Sequence, residues 1–79
     1  MCLARRGGVF YIDVNSNRIF FFDDAAQQWR VGVIRERVGR RYLVIHEVGE
    51  SYAVTYMKTS RGKFLETDVW EMYMEEYNI

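Results

Sequence analysis

His46 is the single histidine and Cys2 the single cysteine of a 79-residue chain. Those two residues bound the chemistry the chain can perform. A metal centre needs three or four converging His, Cys or carboxylate ligands, and nothing is patterned to converge on His46. No Ser, Cys or Asp stands at a spacing that makes His46 part of a nucleophilic triad. His46 falls inside an expected strand, where a half-buried structural imidazole is the simpler role. No glycine-rich loop opens a helix, as backbone phosphate binding requires. Adjacent carboxylates occur at Asp23-Asp24 and Glu75-Glu76, on an expected turn and an expected tail, where they are solvated. Catalysis, a metal and a cofactor are therefore not expected, and Cys2 reads as a free thiol.

Charge is more informative than catalytic chemistry. Eleven basic residues balance eleven acidic ones, but all eleven bases lie within residues 1–63 beside six acids. Residues 64–79 hold five acids and no base, so neutrality is the sum of a +5 block and a −5 block. Nine of the eleven cations are Arg, the side chain suited to planar, bidentate recognition of carboxylate or phosphate. Arg35, Arg37, Arg40 and Arg41 form a candidate basic patch, and Glu71, Glu75 and Glu76 a candidate acidic one. Trp29 and Tyr42 are the candidate aromatic anchors beside the basic patch. Three uses compete: pairing of the acidic end with the basic hairpin inside the fold, docking of another protein, and binding of nucleic acid. Arg and aromatic residues dominate protein-interface hot spots. Trp29, Tyr42, Arg35 and Arg37 on one sheet face would also resemble a base-stacking platform flanked by phosphate contacts.

These residues are positioned by a mainly β chain. Residues 1–8 read as a lead-in to a single domain spanning 1–79. Residues 9–22 read as a hairpin turning at Ser16-Asn17, with Phe10, Ile12, Val14, Ile19 and Phe21 on one apolar face. Asp24 and Gln27 have capping-box spacing and suggest one helical turn. A three-stranded meander follows over 29–58, with strands near 29–37, 41–48 and 51–58. Gly39-Arg40 and Gly49-Glu50 suit type II′ turns. That choice pairs Ile34 with Ile45, Ile45 with Val54, and Leu43 with Tyr56. Both meander faces are at least half apolar, so the sheet is covered on both sides, curled, or docked on a partner. Lys63 to Glu66 reads as a short strand. The acidic element 64–79 reads as a short C-terminal helix in preference to a strand, with Asp68 and Glu71 as a capping box. Val69, Trp70, Tyr73, Met74 and Tyr77 share its apolar stripe. Glu75 and Glu76 oppose the helix dipole there and predict fraying, or a cationic partner near the tail.

From Trp29 to Trp70 the order of strands and aromatics resembles a small SH3-like or Tudor-like barrel. A Tudor-like resemblance implies an aromatic cage for methylated Lys or Arg, with Tyr42, Tyr52, Tyr56 and Trp70 as candidate walls. The expected function is non-catalytic: a small protein-interaction module acting as adaptor or inhibitor by occupying a partner's surface. A nucleic-acid-binding barrel and the methyl-cation cage are the alternatives. No segment has the apolar length of a secretory core or a membrane span, so a cytoplasmic location is expected. Thirteen aromatics in so short a chain exceed what one small core encloses, so self-association is expected as well.

Overall fold

The computed structural model describes residues 8–79; the rest of the expected lead-in, with Cys2, lies outside them. The first hairpin joins β1 (Phe10–Asp13) to β2 (Arg18–Asp23). Ile12 pairs with Ile19 and Tyr11 with Phe20, a shift of two residues from a Ser16-Asn17 loop. Asp13 explains the wider loop. Its carboxylate accepts the Asn15 N–H at 3.0 Å and the Ser16 hydroxyl at 2.8 Å, and Asn17 turns the chain at φ 61°. A shift of two preserves the face, so Phe10, Ile12, Ile19 and Phe21 are all buried while Val14 is left exposed. The expected helical turn is a loop over residues 24–27. Asp23, not Asp24, accepts the Ala25 and Ala26 N–H groups at 3.0 and 3.3 Å, and Gln27 at φ 56° cannot continue a helix.

The meander is β3 (Gln28–Val38), β4 (Arg41–Val48) and β5 (Ser51–Lys58). Gly39 and Gly49 have φ 63° and 64° while Arg40 and Glu50 do not enter the left-handed region, as type II′ turns require. Between β4 and β5 the register is the expected one, with Ile45 opposite Val54 and Leu43 opposite Tyr56. Between β3 and β4 it holds from Val38 to Glu36 and then slips by one at Arg35. Ile34 therefore opposes Val44, not Ile45. A bulge of one residue exchanges the two faces of the strand beyond it.

A 3-10 turn at Thr59–Arg61 leads into β6 (Gly62–Leu65), which pairs in parallel with β1. The sheet order is β5-β4-β3-β2-β1-β6. The architecture is thus one mixed, open six-stranded sheet, with β5 and β6 as its edges, where strand spacing suggested a small antiparallel sheet or an SH3-like or Tudor-like barrel. The sheet nevertheless curls. Val44 of β4 joins Phe10, Ile12, Ile19 and Phe21 in one buried cluster, and Tyr42 and Met57 pack against it. At Gly32, in that inner face, a Cβ would lie 2.8 Å from the Ile45 carbonyl oxygen and 2.9 Å from Val44 Cγ1. Only glycine lets β4 approach β3 that closely.

The helix α1 (Thr67–Glu76) covers the outer face of the sheet over β1, β2 and the start of β3. Its stripe is the expected one. Trp70 is fully buried, donates its indole N–H to the Tyr11 carbonyl at 3.0 Å, and lies 5.6 Å from the Phe20 ring. Tyr73 meets Tyr11 at 5.1 Å and Tyr77 meets Trp29 at 4.7 Å. Both ends differ from expectation. The N-cap is Glu66, two residues before the expected Asp68, and no side chain caps it; Thr67, the first helical residue, donates its hydroxyl to Asp13 at 2.7 Å. The C-terminus is closed by a Schellman motif instead of fraying: Asn78 sits at φ 62°, and Asn78 and Ile79 donate to the Glu75 and Met74 carbonyls. Among the described residues no helix is long and apolar enough to cross a membrane.

Candidate functional site: the outer face of the meander

Cross-strand partners share a face, and the registers of β3, β4 and β5 build the outer face row by row. Val33, Ile45 and Val54 make one row, Glu36, Leu43 and Tyr56 the next, and Val38, Arg41 and Lys58 the last. Tyr52, opposite Glu47, extends the face at the other end. α1 does not reach these rows, so large apolar side chains stand in the open: Val33 is 50% exposed, Tyr52 71%, Val54 56% and Tyr56 57%. Isolated exposed apolar residues need no explanation, whereas a contiguous group is less usual on the surface of a small domain.

Cations border it. Arg41 lies directly opposite Lys58, a like-charge pair that weakens a sheet. Neither has an ion-pair partner among the described residues. Arg40 joins them around a concavity that Thr59 and Ser60 complete, held in shape by the Thr59 N–H donating to the Arg40 carbonyl at 3.0 Å. Arg35, at the bulge, lines a shallow depression with Val31, Val33, Ile45 and Tyr52. The bulge thus moves Arg35 to the rim of the apolar rows.

Of the expected basic patch, Arg35, Arg40 and Arg41 border this surface. Arg37 does not: it pairs with Tyr42 and donates its Nε–H to the Gly39 carbonyl at 3.0 Å. Tyr42 is turned to the inner face, with its ring 6.2 Å from Phe10. Trp29 is on the outer face, enclosed by Phe20, Phe22 and Tyr77. The platform of Trp29, Tyr42, Arg35 and Arg37 is therefore not assembled, and the cause is the bulge, which puts the two aromatics on opposite sides. The four cage walls do not meet either. Tyr52 and Tyr56 are outside, Tyr42 is inside, and Trp70 of α1 is buried between the helix and the sheet.

The acidic end divides. Glu71 lies 3.6 Å from Arg18, while Glu75 and Glu76 are exposed and make no ion pair among the described residues. Internal pairing of the charge blocks thus runs to Arg18 of β2 and not to the Arg-rich hairpin. Arg18 belongs to a network that sequence reasoning did not find. Its guanidinium lies 4.4 Å from the Trp70 ring centre and 3.0 Å from the buried Asp13 carboxylate. Burial disfavours the charged form of Asp13. The Asn15 N–H, the Thr67 and Ser16 hydroxyls and Arg18 outweigh it and hold that carboxyl well below the usual carboxylate range. The hydrogen bond from Arg30 at 2.6 Å likewise lowers Asp23. Burial, then the Tyr77 hydroxyl at 3.3 Å, push the Tyr11 phenol up to about 12. The Asp13 and Tyr11 groups tie the C-terminal element to the sheet, and Asp23 with Arg30 ties β2 to β3.

His46 is buried on the inner face, its Nε2 2.9 Å from the Thr55 hydroxyl and its ring 5.0 Å from Phe21. Among the described residues no three potential metal ligands come together. The signal for the exposed surface was present in the alternation of Tyr52, Val54, Tyr56 and Lys58, which marks one face of β5. What covers a doubly apolar sheet is decided by where α1 lies, and periodicity does not encode that. Comparison with known proteins found no match to a family model, to a curated protein or to a solved structure.

Proposed function

We propose that this chain is a non-catalytic protein-binding module that docks through the outer face of β3–β5. The observation that carries this reading is the open apolar face formed by Val33, Tyr52, Val54 and Tyr56, with Arg35, Arg40, Arg41 and Lys58 along its border. Tyr and Arg supply large contact area and directional hydrogen bonding, the combination that dominates interface energetics. The partner that fits is a protein surface with an apolar centre and carboxylates at its edge. Such docking suits an adaptor, or an inhibitor that covers a partner's working surface. The curl that sets Tyr42 of β4 against Phe10 of β1 supports an SH3-like half-barrel as the scaffold that presents this face.

The test is affinity capture from the native cells, followed by binding measurements with the purified partner. Val33→Glu with Arg41→Glu is expected to abolish capture, and Glu75→Lys with Glu76→Lys to leave it intact. Capture that survives the first pair and fails with the second places the docking surface on α1 and overturns the proposal. Titration of an oligonucleotide at low and physiological salt tests the other class of partner. Tight binding that collapses with salt would identify phosphate as the ligand instead.

A further inference from the structure

Strand β5 is an open edge of unusual completeness. It is eight residues long, pairs with β4 without a bulge, and carries a single charged side chain, Lys58, at its end. Natural sheets protect such edges with proline, bulges or central charges, and the chain has no proline at all. The other edge, β6, is only four residues long. The two-residue turn at Gly49-Glu50 makes Val48 and Ser51 the hydrogen-bonded closing pair. Bonded and unbonded pairs then alternate along the ladder. Ala53, Thr55 and Met57 therefore spend their backbone groups on β4. Tyr52, Val54, Tyr56 and Lys58 direct theirs outward, and none of these has a further backbone bond among the described residues.

We infer that this edge pairs with β5 of a second copy of the chain, antiparallel, about a two-fold axis at Val54. The register follows from the side chains. Faces match only if paired residue numbers have the same parity. Centring on Val54 sets Val54 against its copy and Tyr52 against Tyr56 on the outer face, and brings Glu50, in the turn just before β5, level with Lys58. Centring on Thr55 leaves Glu50 opposite Ser60, and centring on Ala53 sets Lys58 opposite Val48. Only the Val54 axis joins opposite charges. It also extends the row of Arg41 and Lys58, which lacks an anion within the chain, by the carboxylate of Glu50 from the partner. The result is a continuous twelve-stranded sheet (twice the six strands of one chain) with the exposed apolar rows of two copies side by side. This pairing uses the strand edge and stands whether or not another protein docks on the face.

Light scattering of the full chain over a micromolar-to-millimolar series tests it. The expected result is a monomer–dimer equilibrium. Glu50→Lys and Lys58→Glu, each alone, place like charges together twice per dimer and are expected to weaken it roughly ten- to thirty-fold. Mixing the two single variants restores attraction at both contacts, as does combining both substitutions in one chain, and either should recover dimer. Circular dichroism controls for folding, since both side chains are exposed. A monomer throughout the series overturns the inference. So does a dimer that neither reversal weakens, or a mixture that fails to recover it.

Discussion

Trp70 is the keystone between α1 and the sheet, and replacing it gives a quantitative test of how the fold is held. The side chain is fully buried, packs at a tilt against Phe20, donates to the Tyr11 carbonyl at 3.0 Å and lies under the Arg18 guanidinium. At about 0.05–0.15 kcal/mol per residue, 79 residues give a total stability of roughly 4–12 kcal/mol. Trp70→Ala removes about 3–5 kcal/mol, enough to unfold much of the population. Trp70→Phe is therefore the informative variant. It keeps most of the apolar contact and deletes the indole donor, at about 1–3 kcal/mol for the hydrogen bond. With the lost volume added, the expected destabilisation is about 2–3 kcal/mol, or a fall in Tm of roughly 10–20 °C. Urea unfolding followed by circular dichroism and by Trp29 fluorescence measures it. Trp29 touches Tyr77, the C-cap of α1, so its emission should change with helix release. A double-mutant cycle with Arg18→Met should return a coupling of about 0.5–1 kcal/mol for the guanidinium over the ring. If Trp70→Phe unfolds within about 0.5 kcal/mol of the parent, the helix is not anchored as described.

Two further perturbations probe the sheet and the loop beneath the helix. Gly32→Ala drives a methyl group into the Ile45 carbonyl and Val44, so it should destabilise by about 1–3 kcal/mol despite the smaller unfolded-state entropy of Ala; an unchanged or raised urea midpoint would contradict the close approach of β3 and β4. Asp13 has a depressed folded pKa, so the stability it contributes is present above the unfolded carboxylate value of about 3.9 and is lost as pH falls below it. Asp13→Asn should therefore melt earlier than the parent at neutral pH, with the gap closing in acid. Melting curves that stay parallel from neutral pH down to about pH 2 would rule that out.

The strands were legible because their signals are local. Gly39 and Gly49 announce their turns, and the β4–β5 register followed from the turn type alone. The hairpin of β1 and β2 slid by two residues because Asp13 organises a wider loop through side-chain hydrogen bonds, which alternation does not record. The error at Ile34 was larger in consequence. One extra residue at Arg35 put Trp29 and Tyr42 on opposite faces and dissolved the proposed platform. A bulge has no strong composition signal, since Arg35 is an ordinary strand residue. The parallel pairing of β6 was also invisible, because Lys63 to Leu65 carries no mark of its partner. The helix stripe was plain from Val69, Trp70, Tyr73, Met74 and Tyr77. Its closed end was not expected, because the charges of Glu75 and Glu76 pointed to fraying while Asn78, just past the last turn, tolerates the left-handed conformation that closes it.

The parallel ladder between β1 and β6 also governs the order in which the chain can fold. β1 meets β2 across a short loop, but Phe10 must find Gly62, fifty-two positions later in the sequence. Contacts of such separation slow folding, because loop closure precedes any reward from the ladder. A chain made from its N-terminus leaves one side of β1 unpaired until Leu65 has emerged, and Tyr11 and Phe20 lack their cover until Trp70 follows. The meander is the local part of the structure, and β6 with α1 closes it through contacts far apart in the sequence.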